Sequence, residues 1–277
     1  MTTFTVFMAA ESRARFRDLV AAEWIKLWSL RSTAWVLLLS ALSVLAFNVG
    51  TAYDSYRYWT ERDGDDRAAF IHDGIPLLEA FTSNGALVYM LTVGALGALP
   101  VVGEYGTGLI RTTFTAVPDR RSVMAAKVTV IAAVTTAFGA VVSAASFALT
   151  QAILSGRDVG IGISHPGALR AVVASALLAP VCALTGMALG ALVRHGATTV
   201  AAVFAVLVLF PAVLTDDRRW TAVLSHALPL NAWDRLAQPG GPPDVYPWTA
   251  TGAWTVYGIW ALIAAAIAVT AVQRRDQ

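Results

Sequence analysis

Charge is what this 277-residue chain has least of. Asp, Glu, Lys and Arg together make up 14% of it, where a soluble domain carries about 25%. A soluble fold needs charged and polar side chains to cover its outside. A chain that is 57% hydrophobic, with mean hydropathy +0.62, has too few of them. Disorder is excluded on the same ground, because disordered chains are polar and charge-rich. The net charge of +2 gives no pull toward nucleic acid. Cys182 is the only cysteine, so there is no intrachain disulfide and no cysteine-based zinc site. It reads as a small apolar packing residue. The four histidines, His72, His165, His195 and His226, show no metal-ligand spacing, and no metal site is expected.

Catalytic motifs are missing too. There is no Gly-x-Ser-x-Gly elbow for a serine nucleophile. Lysine occurs twice, as Lys26 after Ile25 and Lys127 after Ala126. A phosphate-binding loop needs its lysine after glycine, so neither completes one. The chain is expected to be no enzyme and to bind no ATP itself.

What is present is a set of apolar runs. A bilayer-spanning helix needs about 20 such residues. Six stretches qualify, at about 33–52, 81–102, 128–154, 171–193, 198–214 and 251–272. The fifth is short and ends near Pro211. The third is longer than a bilayer requires, which predicts tilt or projection. The fold class is therefore all-α membrane protein, one transmembrane domain over residues 1–277, with no internal repeat and no evident cleavable signal peptide.

Six spans put both termini on one side. That side holds twelve of the lysines and arginines and the other side eight. The positive-inside rule makes the termini cytoplasmic and the location the cell membrane. The six cores contain no Asp, Glu, Lys, Arg or His. Their most polar members, Asn48, Asn84 and Gln151, lie near span ends. Ion-coupled carriers and pumps hold ionisable groups at membrane depth, so a private coupling ion is disfavoured. Sodium coupling through broken helices stays open, although Pro180 alone interrupts a span near its middle.

Two segments on the cytoplasmic side carry pattern beyond polarity. In residues 12–32, Phe16, Val20, Trp24 and Leu27 recur at helical spacing, with Glu23 intruding at the edge of the face. Arginines and tryptophans at that spacing suit a helix lying in the headgroup layer, in contact with membrane lipid. An ordinary pre-helix that only sets orientation is the alternative. In the loop 103–127, Ile110, Phe114 and Val117 lie at near-helical spacing and Pro118 ends the run. Gly103, Gly106 and Gly108 allow a sharp exit from the membrane. Glu104 is expected to meet the helix end or a nearby arginine. The apolar patch either waits for a partner or folds back on the first helix. The long first outer loop, residues 53–80, is acidic: a cation-attracting vestibule or merely a solvated face.

At these places the chain resembles the membrane-spanning permease subunits of type-two ABC exporters, in particular the small actinobacterial kind. The residues that carry the resemblance are Glu23-Trp24-x-Lys26-Leu27, then Arg31-Ser32-Thr33. After span two come Glu104-Tyr105-x-Thr107-Gly108-x-Ile110-Arg111, then Pro118 and Arg121. A looser match is Leu228-Pro229-Leu230-Asn231-Ala232 before span six. Trp28, Phe114 and Trp233 lie in or beside these motifs and join them as candidate site residues. The resemblance implies an interfacial helix before span one and a cytoplasmic coupling helix between spans two and three. That helix docks on a separate ABC ATPase subunit, which holds the ATP and magnesium. It further implies a dimer, with a second copy or a related permease, and an outer re-entrant segment at 216–250. The cargo stays unknown. Two other functions remain open: a regulatory or immunity subunit of an ABC complex, and a stand-alone secondary carrier.

Overall fold

The computed structural model describes residues 14–214, 218–238 and 246–271, and those residues form helices and connections without a strand. Helix α1, Phe16–Ser29, passes through one extended residue, Leu30, into α2, Arg31–Arg57. A short 3-10 turn at Trp59–Glu61, α3 at Gly64–His72 and α4 at Ile75–Leu78 lead to α5, Ser83–Thr107. Then come α6, Leu109–Ala116, α7, Arg120–Ser155, and α8, Ala168–Val193. The next helix is α9, Gly196–Phe204, which continues through a π turn at Ala205–Leu209 into α10, Phe210–Val213. Helices α11, Arg219–His226, α12, Pro229–Ala237, and α13, Ala250–Thr270, complete the chain.

Six helical stretches are long and apolar enough to cross a membrane, and they coincide with the six runs read from sequence. Their ends differ in an instructive way. Helix α7 begins at Arg120, not near 128, and its 36 residues span about 54 Å at 1.5 Å per residue. A bilayer core is about 30 Å thick, so the helix projects from it. Val272, the expected end of span six, lies outside the described residues, as do residues 12–13, 215–217 and 239–245.

Helix α8 is the hub. Of its most apolar window 72% is buried, against 22% for α13 and for the α9–α10 stretch. Small residues bring it close to its neighbours. A methyl group at Gly97 of α5 would collide with the Ala183 carbonyl, and one at Gly186 with the Gly94 carbonyl. Gly139 of α7 abuts the Ala176 carbonyl in the same way. In lipid, helix association relies on such close packing, since no hydrophobic effect drives it. The outward faces stay apolar: Trp35, Leu38 and Leu42 on α2, and Ile259, Leu262 and Ile263 on α13, are all exposed. That is the pattern of a lipid-facing wall.

At the end of the bundle away from α6, the polar span residues tie down chain connections. Asn48 donates to Ser146 Oγ at 2.7 Å, and its carbonyl accepts from the Thr82 backbone and hydroxyl. Gln151 donates to the Pro76 carbonyl and accepts from the Ile161 amide. The acidic loop 53–80 folds into a helical cap whose Phe70 is buried with Ala52, Leu154 and Val159. Its acids do local work. Asp63 caps α3 by accepting from the Asp66 amide at 2.8 Å, and Asp65 and Asp66 occupy the first turn, where the helix dipole favours them. Buried Glu79 accepts from Ser55 Oγ. Helix capping accounts for three of the seven acids in this loop, Asp63, Asp65 and Asp66.

Candidate functional site: a buried ion cluster at the α6 end

Both lysines of the chain meet at one point. Lys127 of α7 donates to Glu104 Oε1 of α5 at 2.8 Å and to Glu23 Oε2 of α1. Lys26 of α1 donates to Glu23 Oε1 at 2.7 Å and to Glu104 Oε1 at 3.2 Å. The cluster is net neutral and alternates in sign. Side-chain exposure is 2% for Lys127, 5% for Glu23 and 9% for Glu104, and 34% for Lys26. Burial alone would lower the Lys26 pKa. Hydrogen bonding and charge from Glu23 and Glu104 outweigh it and hold the ammonium above its ordinary 10.5. Lys26 therefore stays charged throughout the neutral range.

The local sequence puts each group in place. Glu23 and Leu27 are four residues apart on α1 and form its buried face. This corrects the apolar face read from sequence. Leu27 and Val20 turn inward with Glu23, whereas Phe16, Trp24 and Trp28 are 43–49% exposed and turn outward. The residue that seemed to interrupt the stripe is its anchor. Glu104 is likewise not bonded to an arginine or a helix end. It sits inside α5, which runs unbroken through Gly103 and Gly106 to Thr107. Only Gly108, at φ +72°, makes the turn, and the left-handed region there favours glycine.

Next to Glu104, Tyr105 faces another way. The Arg194 guanidinium lies 4.6 Å from its ring centre, a cation–π distance. Arg194 also donates to the Ala191 and Ala271 carbonyls. Adjacent residues of α5 thus hold α1 and α7 on one side and the α8–α9 turn on the other. Helix α6 hangs from this joint through Gly108. Ile110 is buried at 6% exposure and Phe114 is half-buried, with Arg120 stacked over its ring at 5.1 Å. The patch read as a waiting surface is folded inward. The outward face of α6 carries Leu109, Thr112, Thr115 and Ala116. Pro118 follows the helix end at Ala116 and is exposed, and Asp119 caps α7 by accepting from the Ser122 amide. Arg111 lies on α6.

A cavity of about 410 Å³ opens beside the cluster, between α1, α2, α5, α6 and α7. It is lined by the charged Glu23, Lys26, Glu104 and Lys127 and by the apolar Leu96, Leu99, Val130 and Ile131. Pro100 also lines it, a proline inside α5 that sequence reading passed over. Pro100 has no N–H, so the helical bond to the Leu96 carbonyl is missing.

The segment before α13 forms a second polar locus, at the other end. Helices α11 and α12 have 8 and 9 residues, too short to cross. Pro229 starts α12, and Leu228 caps it. Trp233 is buried and its indole N–H donates to Ser175 Oγ at 2.9 Å, seven residues inside α8. The segment thus reaches about 10 Å along α8 at 1.5 Å per residue. Asn231 donates to the Ser225 carbonyl and hydroxyl, which fixes α12 against α11. The carboxyl of Asp234 carries a buried, unpartnered oxygen, and burial pushes its pKa up to about 7. The folded state therefore prefers the protonated acid. This stability contribution is complete below the unfolded value near 3.8 and is lost as pH rises through about 7. At about 1.4 kcal/mol per unit, its loss amounts to a few kcal/mol. Melting curves of the solubilised protein between pH 5 and 8 are expected to show stability falling with pH, and Asp234→Asn to flatten that slope. An unchanged slope in the variant excludes this assignment.

Among the described residues there is no group of three or more histidine, cysteine or acidic side chains able to hold a metal ion. No family model matches this chain, and no curated protein matches it.

Proposed function

We propose that the chain is the membrane-spanning permease subunit of an ATP-driven exporter of the ABC type, multi-pass in the cell membrane with both termini cytoplasmic. It forms the cargo path as a dimer, and a separate ATPase subunit supplies the energy. The observation that supports this best is the joint at the α6 end. A short helix with an outward face is attached by one glycine to a span whose last turn is ion-paired to two other helices. A force on α6 is therefore passed to α1, α5 and α7 together, through charge-assisted bonds in a low-dielectric setting. Such a joint would carry to three helices a push that a partner applies to α6.

The mechanism that follows is rigid-body alternating access. ATP binding closes the ATPase pair and displaces the two α6 helices of the dimer. The ion cluster carries α1 and α7 with α5, and Tyr105 with Arg194 carries the α8–α9 turn. Helix α1, with Trp24, Trp28 and Phe16 outward, lies at the bilayer surface and serves as the sliding edge. The α11–α12 segment closes the outer end. The apolar cores of the spans hold no Asp, Glu, Lys, Arg or His, which disfavours coupling to an ion gradient.

The test is export from vesicles that contain the chain with a co-expressed ABC ATPase. Export of cargo is expected to require ATP and to stop when the ATPase's phosphate-loop lysine is replaced. Export driven by an ion gradient without the ATPase overturns the proposal in favour of a secondary carrier. A complex that hydrolyses ATP while no cargo of any class moves favours the regulatory subunit.

A further inference from the structure

The ion cluster is neutral as a whole, but the part of it within reach is not. Lys26 keeps 34% of its side-chain surface, while Glu23, Glu104 and Lys127 are buried. All four line the cavity of about 410 Å³, so the accessible charge there is positive. Lys26 has three N–H donors, and two are spent on Glu23 and Glu104. The third is left on a group that stays charged through the neutral range. The strongest acceptor for it is an anion.

A second unspent donor lines the same cavity. Thr33, in the first turn of α2, is 3% exposed. Its hydroxyl bonds to no other described residue and, unlike Glu104 Oε2, keeps some accessible surface. A hydroxyl so enclosed is costly to leave without a partner. The other hydroxyls of the lining are spent: Ser29 Oγ donates to the Lys26 carbonyl, and Thr107 Oγ1 to the Gly103 carbonyl. Helix α2 also starts here. Leu30 gives that 27-residue helix no side-chain cap, and the helix dipole favours negative charge at this end. The α1–α2 side of the cavity is therefore set up for an anion.

The remainder is set up for hydrocarbon. Leu27, Leu96, Val130 and Ile131 line it and are buried. Leu96 is eight residues from Glu104 on α5, about 12 Å along the axis, and Ile131 is just over one turn from Lys127 on α7. Both steps lead toward the apolar middle of a span. Leu99 is half-exposed, so the cavity is open toward lipid. Its volume is near the small end of ligand sites, about 300–1,000 Å³. That suits one hydrocarbon chain and not two.

We infer that the cavity binds a long-chain fatty acid as its carboxylate. The head has one oxygen for the Lys26 N–H and one for the Thr33 hydroxyl, and the single chain runs between α5 and α7. An anionic phospholipid brings the same charge, but its second chain has no place in the cavity. A fatty alcohol fills the cavity and leaves the ammonium without an anion. The bound acid ties α1 and α2 to α5 and α7, at the joint from which α6 hangs. This inference stands on the cavity and not on the transport reading.

The test uses the purified full-length chain in nonionic detergent, without any ATPase, at mildly alkaline pH where the acid is ionised and Lys26 still charged. Oleate, oleyl alcohol and dioleoyl phosphatidylglycerol are titrated one at a time and read by native mass spectrometry. Retention of oleate is expected at a concentration about tenfold lower than for either of the others, the scale of one charge-assisted bond. Lys26→Gln keeps an N–H and removes the charge, and is expected to bring oleate to the level of the alcohol. Thr33→Val keeps the shape and breaks no bond within the chain. It is expected to weaken oleate retention several-fold with the melting temperature unchanged. Retention of the alcohol or of the phosphatidylglycerol as tight as that of oleate overturns the inference, as does full oleate retention by Thr33→Val. Each of these results leaves ATP-driven export untouched, and failure of export leaves oleate retention untouched.

Discussion

Replacing Lys127 with methionine is expected to cost the protein about 3–5 kcal/mol of stability, the range for breaking a buried ion pair from one side. The ammonium is 2% exposed and serves two carboxylates, Glu23 and Glu104. Methionine fills a similar volume, so packing changes little and the loss is electrostatic. Two largely buried carboxylates then face each other with only Lys26 left between them. The comparison with Lys26→Met fixes the interpretation. Lys26 bonds the same two acids but is 34% exposed. Water replaces part of what it gave, and exposed pairs are worth about 0–1 kcal/mol. Its loss is expected to be several-fold smaller in free energy. The decisive variant replaces all four residues together with apolar side chains. Removing a whole buried ionic group is often neutral or stabilising, so this variant is expected to recover most of the lost stability. If the cluster transmits motion, the recovered protein still fails to couple ATP hydrolysis to export. Unfolding monitored by denaturant titration in detergent reads the first effect, and vesicle export reads the second. Equal losses for Lys127→Met and Lys26→Met would show that the cluster is solvated and not a joint.

The sequence made the six spans legible because each is a local property, about 20 apolar residues in a row. Their true ends were harder to read, because helices go on past the bilayer where polar residues cap them. Arg120–Lys127 belongs to α7, and Glu104 to α5, although both lie beyond the apolar runs. The short helices α6, α11 and α12 were visible from apolar spacing and proline punctuation. Which side of each faces inward was not. Spacing gives a face, but only the neighbours decide whether that face is buried. For α6 the face with Ile110 turned inward, and for α1 the tryptophan face turned outward. The ion cluster was the least legible feature, since three of its four contacts join residues 23 to 104 apart in the chain. Two clues to it were present. The chain has only two lysines, and a glutamate interrupts an otherwise apolar stripe. In a chain this poor in charge, each such residue near a span needs a partner, and few partners exist.

Leu109→Glu is expected to abolish recovery of ATPase activity with the purified chain while leaving insertion and helicity intact. Leu109 begins α6, directly after the Gly108 turn, is 48% exposed and borders the cavity beside the ion cluster. It is the one large apolar side chain on the outward face, whose other members are Thr112, Thr115 and Ala116. An apolar anchor of this kind, if it seats in a groove of the ATPase, is the sort of residue whose loss costs about 2 kcal/mol or more. A buried carboxylate in its place costs further. Together these weaken association by about 100-fold or more, at 1.4 kcal/mol per factor of ten. Ile110→Asp is the necessary contrast. Its side chain is buried in the chain itself, so it is expected to lower the melting temperature and to lose the ATPase only as a consequence. Thr112→Ala, which removes one exposed hydroxyl that already bonds the Leu109 carbonyl at 2.8 Å, is expected to change neither. The three variants separate docking from folding because they sit within four residues on one helix, Leu109 and Thr112 on its outward face and Ile110 on its inward one. Wild-type recovery of ATPase activity with Leu109→Glu would remove α6 from the contact with the ATPase. The transmitting joint at Glu104 would then have nothing outside the chain to move it.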